Sequence, residues 1–383
     1  MAITLPFSEF LSKWLPNANF DTPYYEQQKT AVLGTPKGGL PELIIHESGR
    51  DVYDFICKHI DLSNKKTLVL NTTTRFNIDK QRDKYFSSVL NLRRINDTRW
   101  INKFFESVNS KLPVGGIYLL NVETYSHRKV RILRKSVVPF NWIHYTADFF
   151  VFRVLPKLPF SKTIYFTITK GKGRVLSKAE SLGRLYSCGF EIIDEKEIRN
   201  ILYLVVRKVK EPLFDNNPTY GPFIKLKRSG KNGKPINVYK LRTMHPYSEY
   251  IQKYIFDLNG TSTGDKANND FRINTIGRLF RIVWLDELPM LINLLKGDLK
   301  MVGVRPLSAH KLSIYPKELQ ELRSKHTPGL VPPYYADLPK GQDEMWESEK
   351  NYLLKYEKSP LITDFVYFFK AFYNIIFKHA RSA

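Results

Sequence analysis

The chain has 383 residues, 43% of them hydrophobic and 14% aromatic, which is enough for two separate cores and too apolar for a disordered chain. Its 60 Lys and Arg against 37 Asp and Glu leave a net charge of +23, so a polyanionic neighbour is expected: nucleic acid, an anionic membrane surface or phosphorylated substrates. Its two cysteines, Cys57 and Cys188, exclude a disulfide framework and a cysteine-built zinc site, and no run of about 18 apolar residues is present to span a bilayer.

The first ten residues lack a basic start and a long apolar core, so no secretory leader is expected. Further on, Leu43-Ile44-Ile45 reads as a strand, Gly49 to Ile60 as a helix, and 67–70 and 116–120 as further strands. The alternation predicts an α/β layer with a parallel sheet. A helix over 178–188 stops at Gly189 and is followed by strands near 190–193 and 201–206. This ending resembles the closing helix and hairpin of a methyltransferase-like Rossmann domain. No Gly-x-Gly loop follows the first strand, and His46-Glu47-Ser48-Gly49-Arg50 offers one glycine. A scaffolding or degenerate cofactor domain is therefore favoured over a working methyltransferase.

Residues 137–169 are of another kind. Trp142, Phe149 and Phe150 stand among six further aromatics, Pro139, Pro156 and Pro159 interrupt them, and Lys and Arg flank both sides. Rings beside cations suit an element lying in a membrane interface; a core helix and strand with a solvated basic rim suits the same pattern. Both readings stay open. Prolines and asparagines over 208–222 break the periodicity, giving a first domain at 1–210, a linker at 211–222 and a second domain at 223–383. Its last segment, 364–380, is an apolar helix with cations near its end. Phe369 and Phe372 would face a bilayer surface if it lies on one, though docking on the body of the protein is favoured.

The densest chemistry lies in 218–338. In order come Lys225-Leu-Lys-Arg-Ser-Gly-Lys-Asn-Gly-Lys-Pro235, Val238-Tyr-Lys-Leu-Arg-Thr-Met244, Asn269-Asp-Phe-Arg-Ile-Asn-Thr-Ile-Gly-Arg278, Trp284-Leu-Asp-Glu-Leu-Pro289, Leu294-Leu-Lys-Gly-Asp298, Val302-Gly-Val-Arg-Pro306 and Pro328-Gly-Leu330. The Asp286-Glu287 pair sits among arginines, a setting for phosphoryl transfer. Taken alone, Asp286 also reads as the N-cap of a helix entered at Pro289, and a helix N-terminus itself favours anions. Arg242, Arg278 and Arg305 likewise have a surface salt-bridge reading. Lys231 to Lys234 reads as a hairpin turn, and His245, His310 and His326 as structural or surface histidines.

In order and spacing these blocks resemble the catalytic domain of bacterial sugar transferases, the monotopic polyprenyl-phosphate phosphoglycosyl transferases. The implied fold is a mixed α+β catalytic domain with a C-terminal amphipathic helix behind the Rossmann-like domain. The implied reaction has two steps. An aspartate attacks the β-phosphorus of a nucleoside-diphosphate sugar, with a UDP-sugar expected, and a polyprenyl phosphate then accepts the phosphosugar. Asp286 matches the nucleophile and Glu287 its partner, the two holding Mg²⁺, while Arg242, Arg278, Arg305, Lys240 and Arg272 match phosphate-binding positions. Asp270 and Arg272 are a pair that braces itself or the site. An anionic membrane surface is the implied neighbour, with the protein peripheral or monotopic on the cytoplasmic face of the bacterial inner membrane.

Two departures stand out. The family usually has proline where Val304 stands, and its hydrophobic re-entrant helix is replaced here by the short polar stretch 211–222. The alternative is a non-catalytic nucleotide-sugar-binding or partner-binding module on the same fold. Nucleic-acid binding ranks last, because no zinc-finger spacing, basic zipper or RNA-recognition motif is present.

Overall fold

The computed structural model describes residues 39–214, 220–259 and 270–378, with the pieces 261–262 and 266–267 and Ala380. The chain divides into two units: Met1–Tyr220 with Pro246–Ile251, and Gly221–His245 with Gln252–Ala383.

In the first unit, strands β1 (Thr67–Leu70), β2 (Ser88–Arg94), β3 (Ile117–Val122), β4 (Phe190–Ile198) and β5 (Ile201–Lys208) lie in the order β1-β2-β3-β5-β4. The first three are parallel, in register Thr67↔Ser88 and Leu90↔Leu119. The last two form a hairpin, and β5 runs antiparallel to β3 with Leu119 opposite Val205. Both β3 and β5 are nearly continuous apolar runs because both faces are covered.

One face is covered by α1 (Leu40–Ser48) and α2 (Arg50–His59), whose Ile44, Val52, Phe55 and Ile56 pack with Leu90, Leu119, Tyr203 and Val205. The expected strand at Leu43-Ile44-Ile45 is thus helical: Pro41 sits in its first turn, where a missing N–H costs nothing, and only Ile44 of the three is buried. The helix α3 (Ile101–Lys111) precedes β3, and α4 (Tyr125–Leu133) follows it. Residues 137–169 contain no strand. They run through α5 (Phe140–Phe149), the wider π turn Phe150–Val154, the tighter 3-10 turn Leu155–Lys157, and α6 (Pro159–Thr169), so the strand half of the core reading fails.

Ser177 caps α7 (Lys178–Ser187), its hydroxyl accepting from the Glu180 N–H at 3.0 Å. Glu180 itself is fully buried and takes hydrogen bonds from Lys157 at 2.8 Å and Arg184 at 2.9 Å. Burial opposes its charge, but Lys157 and Arg184 hold its carboxyl well below the usual range. Tyr247 from the 246–251 piece is buried in this unit, 4.4 Å beneath the Arg184 guanidinium, and its hydroxyl accepts from Asn102 at 3.0 Å.

The second unit opens with the hairpin β6 (Phe223–Ser229) and β7 (Pro235–Leu241), joined at Lys231–Gly233 as the spacing predicts. Helices α8 (Gln252–Asn259), α9 (Thr275–Ile282) and α10 (Leu291–Leu295) follow. The fully buried Asn293 pins α10 to β7: it accepts from the Tyr239 N–H at 3.0 Å and donates to Asn237 O at 2.7 Å. Strands β8 (Lys300–Val302) and β9 (Gly329–Val331) pair in parallel, Val302 against Val331. They pack with α11 (Lys317–Ser324), α12 (Tyr334–Asp337), α13 (Gln342–Lys358) and α14 (Pro360–Phe377) in a core that includes Val302, Val304, Tyr315, Leu319, Tyr352 and Tyr367.

Candidate active site

Asp286 and Glu287 sit in one 3-10 turn, Leu285–Met290, which leads directly into α10. The capping role that sequence allows for Asp286 is not what forms. Trp284 holds the cap position with φ 59°, and no side chain caps the turn. Trp284 is fixed by its own ring, 4.7 Å from that of the buried Tyr335. Both carboxylates are therefore presented from a short, tightly held turn rather than spent on helix capping.

Around the turn stand cations from three other elements. Lys240, at the end of β7, donates to Glu287 Oε1 at 2.6 Å. Arg281, in the last turn of α9, donates from Nε to Thr243 Oγ1 at 3.0 Å, and burial pulls its pKa down while nearby Asp286 pushes it back up. Arg305 donates to the Tyr334 hydroxyl at 3.0 Å, and the charge interactions with Tyr334 and then Glu287 hold its guanidinium further toward the cationic form. For Asp286, burial raises the carboxyl pKa; Glu287 adds to that, and Lys240 and Arg281 oppose it. A half-buried aspartate with a raised pKa, next to a second carboxylate and within the field of Lys240 and Arg281, is a candidate functional site on physical grounds.

Backbone close approach sets this geometry. A Cβ on Gly277 would lie 2.1 Å from Thr243 O, so only glycine lets α9 meet the end of the hairpin. Asn274 caps α9, its side chain accepting from the Gly277 N–H. Likewise a Cβ on Gly329 would lie 2.1 Å from Gly303 N, so the Pro-Gly-Leu block exists to let β9 press against the loop carrying Arg305. That loop is held from behind by Arg323, which donates to Arg305 O at 2.5 Å and pairs with buried Glu349. Val304, where a proline was expected, is buried in the core. Asn374 on α14 donates to Tyr335 O at 3.0 Å and Ala336 O at 2.9 Å, holding the tyrosine pair.

The other residues read from sequence fall differently. Arg242 donates from Nε to Gly221 O at 2.9 Å, closing the base of the hairpin. Arg278 is exposed on α9. Arg272, expected to bind phosphate, is instead a buried brace: it grips Asp270 through Nε at 2.8 Å and Nη2 at 2.6 Å and reaches Gln252 at 2.5 Å, because a guanidinium this deeply buried needs a carboxylate. Trp142, Phe150, Phe369 and Phe372 are exposed, and Phe149 is half-buried against Tyr145. Sequence reasoning missed Tyr334 and Tyr335, for which the signal was the Pro332-Pro333-Tyr-Tyr run just after the Pro-Gly-Leu block. It also missed Arg228, half-buried on β6, whose pKa is lowered by burial and by the like charge of Arg305. Among the described residues no group of three or more His, Cys, Asp or Glu side chains stands together to hold a metal.

Residues 213–378 match the family model described as bacterial sugar transferase. The chain is 39% identical over 109 residues to the uncharacterized sugar transferase EpsL of Bacillus subtilis, covering 28% of this chain and 48% of that one. It is 38% identical over 93 residues to an undecaprenyl-phosphate galactose phosphotransferase of Salmonella typhimurium, covering 23% and 20%. A third relative is the UDP-glucose:undecaprenyl-phosphate glucose-1-phosphate transferase of Caulobacter vibrioides, 32% identical over 106 residues, covering 27% and 36%. The chain thus spans half or less of the length of these curated relatives. Among solved structures, a 16S rRNA N2 G1207 methyltransferase from T. thermophilus aligns over 55% of this chain and 53% of its own at 10% identity, with a TM-score of 0.21. A score that low carries no argument about the fold.

Proposed function

Residues 213–378 of the chain belong to the bacterial sugar transferase family, and from that premise we propose that the protein transfers a phosphosugar from a nucleoside-diphosphate sugar to a polyprenyl phosphate. A UDP-sugar is the donor in this reading. The observation that carries it is the Asp286 turn: a half-buried carboxylate with raised pKa, its neighbour Glu287 engaged by Lys240, and Arg281 and Arg305 close by.

A carboxylate oxygen of Asp286 bonds to the β-phosphorus while the bond to the bridging oxygen breaks, and nucleoside monophosphate leaves with the electron pair. A phosphate oxygen of the polyprenyl phosphate then displaces the carboxylate, yielding polyprenyl diphosphate sugar and free Asp286. Arg305, fixed by Tyr334 and by the contact from Arg323 to its backbone, would hold phosphate oxygens through its remaining guanidinium N–H groups. Lys240 pairs with Glu287 and orients it beside the nucleophile. Mg²⁺ suits the two hard carboxylates of Asp286 and Glu287, since it is commonly held by one or two carboxylates plus substrate phosphates. Bound there, it would neutralise charge as anion meets anion.

We place the protein on the cytoplasmic face of a bacterial inner membrane, where such an acceptor lipid resides. No described helix is long and apolar enough to cross a membrane. On α14, Thr363, Tyr367, Ala371 and Asn374 turn inward, while Phe365, Phe369 and Phe372 are exposed. Docking and bilayer contact are thus opposite faces of one helix. Ile276, Leu279 and Ile282 on α9 add a second exposed apolar stripe. The first unit serves in this reading as a scaffold of Rossmann type, because no glycine occurs from residue 51 to residue 114, where β1 and β2 would need one to approach a cofactor.

The test is covalent capture. Incubated with donor and without acceptor, the protein should gain the mass of one phosphosugar on the peptide containing Asp286, and adding polyprenyl phosphate should discharge it. A modified peptide elsewhere, or turnover with no adduct under any quench, would refute the aspartyl step.

A further inference from the structure

We propose that the first unit carries its own docking element for an anionic lipid bilayer, the bent helical segment from Arg134 to Lys172, independent of the transferase chemistry. The argument begins with which way its side chains face. A helix that coats a protein in water turns its apolar residues inward, and this segment leaves a large share of its own facing outward.

Phe160, Ile164 and Ile168 recur every four residues along α6 and are 92%, 64% and 38% exposed. Phe140, Trp142, Ile143 and Phe150 are exposed on and just after α5, and Val137 and Val138 lead into it uncovered. Three charged groups from the middle of the segment, Asp148, Arg153 and Lys157, instead turn into the unit. Asp148 is gripped by Arg128 through two bonds of 2.6 and 2.7 Å. Arg153 donates to Val175 O at 3.0 Å, and Lys157 to Glu180 at 2.8 Å. An exposed apolar face of this extent marks an interaction surface.

Charge decides what that is. Between Thr124 and Leu176 the chain has eleven Lys and Arg and a single acidic residue, the buried Asp148. Arg134, Lys135, Lys162, Lys170 and Lys172 are exposed beside the apolar stripe, and the Lys129 ammonium lies 4.9 Å from the Trp142 ring, a pairing suited to headgroup depth. An apolar face rimmed by cations complements a surface that is apolar below and anionic above, a bilayer rich in acidic lipid. A protein partner would need an apolar patch ringed entirely by carboxylates.

The experiment uses the full chain with Cys57→Ser to remove the exposed thiol, Ile164→Cys labelled with an environment-sensitive fluorophore, and equimolar phosphatidylglycerol and phosphatidylcholine vesicles. We expect a blue shift and intensity gain with these vesicles, smaller with pure phosphatidylcholine and reduced by salt. Phe160→Glu with Ile168→Glu, both at exposed positions, should weaken the response at this label by roughly tenfold or more while leaving the circular dichroism spectrum unchanged. A label that stays in water with every vesicle would overturn the proposal, even if the chain sediments with lipid through other residues. So would a blue shift without vesicles that tracks protein self-association. Neither result bears on the aspartyl chemistry, which the adduct experiment reads separately.

Discussion

Asp286 sits where its charge is costly, and that has a consequence for stability. Burial raises its folded-state pKa above the ordinary value, so the folded protein holds this proton more tightly than the unfolded chain. The associated stability is complete at low pH and is lost as pH rises through the raised pKa. Asp286→Asn should therefore melt no lower than wild type at neutral pH, and any gain should vanish on acidification into the usual aspartate range. Scanning calorimetry across pH checks this, and a clear destabilisation at pH 7 would mean that the carboxylate is a structural anchor. Arg305→Met removes a guanidinium that meets Tyr334 and the field of Glu287. Donor KM should rise about tenfold or more, with Arg305→Lys recovering only part, since an ammonium cannot bind phosphate oxygens bidentately. Unchanged KM in both variants would remove Arg305 from the donor site.

The turn bearing Asp286 is positioned by its neighbours, and one tight constraint is Gly277 against Thr243 O. Gly277→Ala should cost roughly 1–3 kcal/mol, because backbone rather than a flexible side chain stands in the way; chemical denaturation with an unchanged m-value would show it, and a neutral result would mean α9 shifts freely. Much at this scale was legible beforehand. The Lys-Asn-Gly-Lys turn, the parallel β1 and β3, and the helix stopping at Gly189 follow local signals that tertiary packing did not override. Leu43-Ile44-Ile45 misled because three apolar residues carry no period, and Pro41 decided for helix. The β2 strand escaped notice because Asn91 and its flanking arginines disguise a strand buried at its start. For Asp286 the local cap signal was outweighed by Trp284, whose stacking on Tyr335 comes from residues about fifty positions away. Arg272 and Arg305 look alike in sequence. Only their partners separate them: Arg272 is spent on the Asp270 carboxylate, whereas Arg305 meets a tyrosine hydroxyl and is left for the proposed phosphate contact.

Across the whole molecule, the +23 charge is distributed by purpose. Some of it is buried and balanced, as at Glu180 with Lys157 and Arg184. Glu180→Gln would leave buried Arg184 and half-buried Lys157 under-compensated and should destabilise by about 3–5 kcal/mol, seen as a fall of several degrees in melting temperature; a shift near zero would mean that water already reaches the cluster. Other cations stand at the Asp286 site and beside exposed apolar faces, which suits the proposed transfer from a phosphorylated sugar donor to a phosphorylated lipid. The most direct test of that account is nucleoside monophosphate release from a panel of UDP-sugars with Mg²⁺, with and without undecaprenyl phosphate in detergent, for wild type and Asp286→Asn. The account predicts release from one or a few donors, multiplied by the lipid and abolished in Asp286→Asn. Donor binding with no release from folded wild type, or release that survives in Asp286→Asn, would contradict it.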